Sequence, residues 1–303
     1  MQNTIAKTQS KPRAFFARLK KKVRFKRPYF AFPHLLIALI FVFVPLVFLL
    51  VNAFMGTGFY ECAYTGTQST YRTFTLDNFA RFFTGAIWIT LGRSLIVALL
   101  TTIFCLLFAY PLALALANSK INKSIILVLM FILPMYMNSL LRATAMRVLL
   151  DVMGMTTPNL ALTRIIISHV YIFFPFMLLP IYTSLVNMDK SYIEASKDLG
   201  ASNLSTFVKV TLPLSVPAMI SGIFMVFMPV VSSFVIRDVM MQNIPGDGWF
   251  LFGNHIYGTV TGATPDGQGA ALSIMLLIIV FGVMFGVNKV RAYREKKSGG
   301  AVS

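Results

Sequence analysis

Glu194-Ala195-Ser196-Lys197-Asp198-Leu199-Gly200, closed downstream by Val210-Thr211-Leu212-Pro213, is a polar island between two long apolar runs, Ile165 to Met188 and Leu214 to Ile236. Each run is close to the roughly 17 to 25 residues that a helix needs to cross about 30 Å of hydrocarbon. The island therefore reads as a loop at one membrane face of a helical membrane protein. Ser191-Tyr192-Ile193-Glu194 has the spacing of a capping box, in which hydroxyl and carboxylate satisfy orphan donors at a helix start. Gly200 supplies the left-handed residue that stops this helix, and Ser202 caps a second one running toward Leu212-Pro213. The expected product is a stiff helix-turn-helix elbow. Such an elbow passes a push on to the adjoining spans, whereas a floppy loop would absorb it.

Working outward, 57% hydrophobic and 12% charged residues would leave a soluble chain of 303 residues with a large apolar surface in water. The other runs of spanning length are Leu35 to Phe54, Leu95 to Ala117, Ser124 to Leu141 and Ala270 to Val287, which brings the predicted helices to six. Spanning strands are excluded, because the runs lack polar/apolar alternation and only a helix satisfies its own backbone in lipid. Of the 27 Lys and Arg residues, 20 lie in the two tails, the 2-3 connection and the 4-5 loop. The other seven are Arg72, Arg81, Arg93, Arg142, Arg147, Arg164 and Arg237. This excess puts both termini and the polar island in the cytoplasm. The net charge of +17 is thus mainly a topology signal, and the basic run Arg18 to Arg27 reads as a juxtamembrane anchor to anionic lipid, with no nucleic-acid partner.

The expected organisation is a basic cytoplasmic tail (1–33), a first span (34–54), an extracytoplasmic loop (55–93), a five-helix core (94–289) carrying the loop 189–213, and a cytoplasmic tail (290–303). The first span is too long and too late in the chain for a cleaved signal. The external loop is expected to end in a helix capped by Asp77 or Asn78. Cys62 and Cys105 fall at different depths, and no metal site is expected. No catalytic cluster is present. His169 is open to two readings, a proton relay or a hydrogen bond between helices.

The island resembles the cytoplasmic EAA loop of ABC-importer permeases, Glu-Ala-Ala-x-x-x-Gly-x9-Ile-x-Leu-Pro, with Ser196 for the second Ala and Val210 for Ile. The resemblance implies an all-α, type I importer permease that is not itself an enzyme and sits in the bacterial cytoplasmic membrane. Its first helix would embrace a second, homologous permease subunit. Two copies of a cytoplasmic ABC ATPase would bind ATP and Mg, and an extracytoplasmic binding protein would deliver the substrate. The implied ATPase-coupling residues are Glu194, Ala195, Ser196, Asp198, Gly200, Ala201 and Pro213. The chain itself lacks the Gly-x-x-x-x-Gly-Lys-Ser/Thr phosphate loop, so no cofactor is expected in it.

Further resemblance points to the spermidine/putrescine branch. It rests on Asn138-Ser139-Leu140-Leu141-Arg142, on Leu179-Pro180-Ile181-Tyr182-x-Ser184-Leu185, on Asp198-Leu199-Gly200-Ala201-Ser202 and on Phe234-Val235-Ile236-Arg237-Asp238-Val239-Met240. Branches carrying iron, thiamine or phosphonate are the alternatives. A stand-alone secondary transporter is a further one, weakened because all ten acidic residues lie outside the apolar runs. A polyamine is a polycation with methylene stems, matched by spaced carboxylates and aromatic walls. The candidates along the path are Asp238 and Asp151, with Tyr136, Tyr171, Phe174 and Tyr182, and the external acids Asp247 and Asp266. Asp238 reads either as a ligand or as a helix cap or ion-pair partner, and the tyrosines either as ligands or as interfacial belt residues.

Overall fold

The structure, a computed structural model, describes residues 35–61, 68–118, 124–242, 244, 249–261 and 267–299. The basic tail 1–33, Cys62, Asp247, Asp266 and residues 300–303 lie outside the described residues. The chain divides into two units, 1–51 and 52–303, with helix α1 (Leu35–Ala53) running through the boundary. In α1 a π turn, Leu39–Phe43, stands just before Pro45. Widening the turn relieves the clash of the proline ring with the carbonyl four residues back.

The second unit opens with an antiparallel hairpin, β1 (Met55–Glu61) and β2 (Gln68–Phe74), in the register Met55↔Phe74 to Glu61↔Gln68. The sequence reading has a loop here. Thr70, Tyr71, Thr73 and Phe74 are good strand residues, but they lack the alternation that marks a half-buried strand. Helix α2 (Asp77–Ala80) follows, and its cap is Thr75, whose Oγ1 accepts from the Asp77 N–H at 3.1 Å. Asn78 does a different job: its Nδ2 donates to Ala53 O and Met55 O, both at 3.0 Å.

Helices α3 (Gly85–Ala117), α6 (Ala161–Val186) and α8 (Asn203–Val231) pack on one another to form the core. Fully buried Ala98, Ala109, Ala113 and Ala161 allow close approach between backbones. Polar bonds then fix the register inside the apolar interior: Tyr110 Oη and Ser215 Oγ are 2.9 Å apart, and Ser94 Oγ accepts from the Phe252 N–H at 2.7 Å. His169 ties α6 to the stretch just after α8. Its Nδ1 donates to Ile165 O at 2.7 Å, because a carbonyl only accepts, and Nε2 lies 3.0 Å from Ser233 Oγ.

Four predicted spans differ from the rods of the sequence reading, and the second, α3, starts at Gly85, inside the expected external loop 55–93 and ahead of the predicted Leu95. The third is broken: α4 (Ser124–Ile132) and a 3-10 turn (Leu133–Tyr136) meet α5 (Ser139–Val152) at a bend of 101°. Pro134 interrupts the first helix, and Asn138 caps the second by accepting from the Leu140 N–H at 2.8 Å. The fifth starts at Asn203, well before the predicted Leu214, and stops at Val231, and a separate short helix, α9 (Val235–Met241), follows. At that break Gly253 is required, since a Cβ there would lie 2.4 Å from Ser232 O. Gly253 belongs to α10 (Phe252–Thr261), a helix absent from the sequence reading. The sixth, α11 (Gln268–Gly299), continues past the predicted end at Val287. The described residues thus hold five helices of spanning length, or six when the bent pair is one span.

Candidate coupling site and substrate path

Helix α7 (Lys190–Asp198) carries the island's first half. Its N-cap is Asp189, whose Oδ1 accepts from the Ser191 N–H at 2.9 Å. This replaces the predicted Ser191/Glu194 capping box: the helix starts two residues too early for Ser191 to cap it. The bond from the Ser191 N–H, helped by the Ser191 side chain, holds the Asp189 carboxyl below the usual carboxylate range.

The stop is as expected and is a complete Schellman motif. Gly200 has φ of 80°, its N–H donates to Lys197 O at 2.8 Å, and the Ala201 N–H donates to Ser196 O at 3.1 Å. Ser202 then caps the next helix, accepting from the Ser205 N–H at 3.3 Å. The expected second arm ending at Leu212-Pro213 is not a separate helix. A π turn, Phe207–Thr211, carries the backbone past Pro213, so the arm and the fifth span are one continuous helix, α8. A displacement of α7 therefore acts on a span across a single turn. Ser196 Oγ lies 3.1 Å from Thr206 Oγ1 and ties the two arms together.

The implied coupling residues are gathered in this elbow. Glu194, Ala195, Asp198, Gly200 and Pro213 are exposed, while Ser196 and Ala201 are half-buried. Glu194 has no partner among the described residues. Around it Leu199 is 90% exposed, with Tyr192, Leu204 and Val208 also largely exposed. The elbow thus carries an exposed apolar rim.

The path candidates are spread more widely. Asp151, at the end of α5, pairs with the fully buried Arg164 at 2.7 Å. Arg164 also donates to Met155 O at 2.6 Å and Met240 O at 3.1 Å, so this guanidinium knits α5, α6 and α9 together. Asp238 Oδ1, on α9, accepts from Asn254 Nδ2 at 2.6 Å and from Arg237 Nη1 at 3.2 Å. Arg237 in turn lies 4.2 Å over the Phe250 ring. Both carboxylates are thus engaged with arginine. Tyr136 is 80% exposed on the 3-10 turn, and Tyr171 on α6 is 40% exposed. Phe174 packs near Phe131, with ring centroids 6.2 Å apart, and Tyr182 is half-buried against the core.

Sequence reasoning missed the arginines. Arg142 is buried on α5 and donates to Ile172 O at 3.3 Å, and Arg147 donates to Gln242. Their signal was present: four arginines fall close to apolar runs, where a cation persists only with a partner.

Residues 106–291 match the family described as binding-protein-dependent transport system inner membrane component. The chain is 34% identical over 225 residues to the spermidine/putrescine transport system permease protein PotB of Escherichia coli K12, covering 68% of this chain and 79% of that protein. It is 29% identical over 270 residues to the Haemophilus influenzae protein of the same description, covering 82% and 89%. Among solved structures, a bacterial ABC transporter for the acidic polysaccharide alginate superposes with a TM-score of 0.59 at 16% identity, covering 90% of this chain and 98% of that one. The MetNI methionine ABC transporter gives 0.53 at 16% identity, covering 68% and 95%. These two speak for the fold alone. The family match covers more than half of the sequence, including the whole elbow and the helices on either side of it, and the chain belongs to the inner membrane components of binding-protein-dependent transport systems.

Proposed function

We propose that this chain is one permease subunit of an ATP-driven polyamine importer, in which α7 takes up the motion of a separate ABC ATPase. The observation that carries the coupling role is the elbow itself. Its backbone is closed at both ends by Asp189 and the Gly200 motif, yet it presents Leu199, Leu204 and Val208 outward. A helix satisfied internally but apolar outside is built to be covered. A second permease subunit and two ATPase copies complete the machine, ATP and Mg belong to the ATPases, and an extracytoplasmic binding protein brings the cargo. ATP-driven closure of the ATPases shifts the permease between its outward- and inward-open states only by binding one of them better than the other.

The polyamine reading rests on the likeness to spermidine/putrescine permeases over 225 residues. Its test is uptake of radiolabelled spermidine into vesicles holding the whole complex, with unlabelled competitors. Putrescine is expected to compete, and iron, thiamine and phosphonate are not. Competition by one of those three but not by putrescine would move the chain to another branch.

A further inference from the structure

Between the second half of α6 and the middle of α8, beside α7, lies an open groove of about 660 Å³. That is within the roughly 300–1,000 Å³ of small-molecule sites. Pro180, Thr183, Asn187, Asp189, Tyr192 and Ser221 are among its lining residues. Lipid is a poor neighbour for this set, since hydroxyls, an amide and a carboxylate facing hydrocarbon lose their water.

Several of its acceptors remain free. Thr183 Oγ1 spends its hydrogen on Leu179 O at 2.9 Å and Pro180 O at 3.0 Å, and Ser221 Oγ spends its own on Pro217 O at 3.0 Å. Both hydroxyl oxygens therefore have only lone pairs left to offer. Asn187 adds a side-chain amide, with an acceptor oxygen and donor hydrogens, and Asp189 adds a carboxylate that accepts from the Ser191 N–H and the Ser191 side chain. Tyr192, 58% exposed, supplies an aromatic face, and Leu214 and Pro217 supply apolar wall. An alkylammonium is the complement: each –NH₃⁺ has three donors and no acceptor, and its methylenes want apolar contact.

We infer that this groove is an inner-side binding site for the ammonium groups of the transported cation, with Asp189 and Tyr192 as the pair that holds the charge. The inference rests on the polyamine reading and adds to it a place and a link to the motor. Asp189 is also the cap of α7, so when α7 moves it carries the site's carboxylate with it, and cation release is tied to the ATPase stroke.

The test uses the complete reconstituted complex without ATP. Ser221→Cys is exposed to a cationic methanethiosulfonate reagent, with the unsubstituted chain as the background. Labelling is expected, and spermidine is expected to slow it while the neutral 1,8-octanediol does not. Asp189→Asn keeps a good N-cap but removes the charge, so it should raise the spermidine concentration needed for protection about twofold to fivefold. A Ser221→Cys thiol that is unreactive in the assembled complex would mean that a partner subunit fills the groove, which overturns the site. So would labelling indifferent to spermidine in vesicles that do import it, and there the polyamine reading would stand. Vesicles that import no spermidine overturn both.

Discussion

Ser196 Oγ and Thr206 Oγ1 meet at 3.1 Å across the turn at Gly200, joining α7 to the first turn of α8. Ser196 is the position where the chain departs from the Glu-Ala-Ala pattern, and Thr206 is 3% exposed. The serine thus gives the elbow a bond that alanine lacks.

Removing that bond should loosen the joint. Ser196→Ala leaves a buried hydroxyl without its side-chain partner, at a cost of about 1 kcal/mol. Amide exchange in α7 is expected to quicken roughly fivefold. Ser196→Ala combined with Thr206→Val should recover much of the protection, because two apolar groups leave nothing unsatisfied. Hydrogen-exchange mass spectrometry of the two variants checks this, and exchange in the double variant as fast as in Ser196→Ala would contradict it.

Arg164 and Asp151 separate a structural role from a substrate role. Taking one partner from a buried ion pair costs roughly 3 to 5 kcal/mol, and Arg164 also loses bonds to Met155 O and Met240 O. Arg164→Met should therefore lower thermal stability in detergent sharply. Asp151→Asn should lower it too, because it leaves the fully buried Arg164 guanidinium without its counter-ion. If Asp151→Asn abolished uptake at unchanged melting temperature, Asp151 would be a substrate ligand and not a brace.

Asp189 makes the start of α7 sensitive to acid. Its carboxyl is held below the usual range in the folded chain, first by the Ser191 N–H and then by the Ser191 side chain. A depressed folded value gives stability that is complete above the ordinary carboxylate range and is lost as pH falls through the folded value. The start of α7 should accordingly hold through mildly acid conditions and fray only in stronger acid, whereas Asp189→Asn should show no such dependence. Exchange rates of the first-turn amides across pH, corrected for intrinsic exchange, decide the matter.

The helical architecture was legible because spanning length and charge asymmetry act locally along a chain. Gly200 was legible for the same reason: a left-handed stop shows in one residue. Chain direction inside the membrane was not. The bend between Tyr136 and Ser139 needs Pro134 and the Asn138 cap together, and the break after Val231 depends on the close approach of Gly253, two elements later. At the site, the exposed elbow followed from sequence. The commitment of Asp151 to Arg164 and of Asp238 to Asn254 did not, because those partners are 13 and 16 residues away and are brought close by packing. Asp189 was overlooked because Ser191 and Glu194 fit the capping-box spacing equally well.

The measurement that bears most directly on the coupling helix compares Gly200→Pro with Gly200→Asn in vesicles holding the full complex, recording ATP hydrolysis and spermidine uptake together. No Cβ clash arises at Gly200, so backbone conformation alone is at stake. Proline, fixed near a φ of about −65°, cannot adopt the observed 80° and lacks the N–H that donates to Lys197 O, whereas asparagine tolerates the left-handed region. The expected result is uptake largely kept in Gly200→Asn and lost in Gly200→Pro, with the latter complex still assembled and still hydrolysing ATP. Wild-type uptake by Gly200→Pro, or uptake by the permease subunits with no ATPase present, would contradict the role of α7 as the relay.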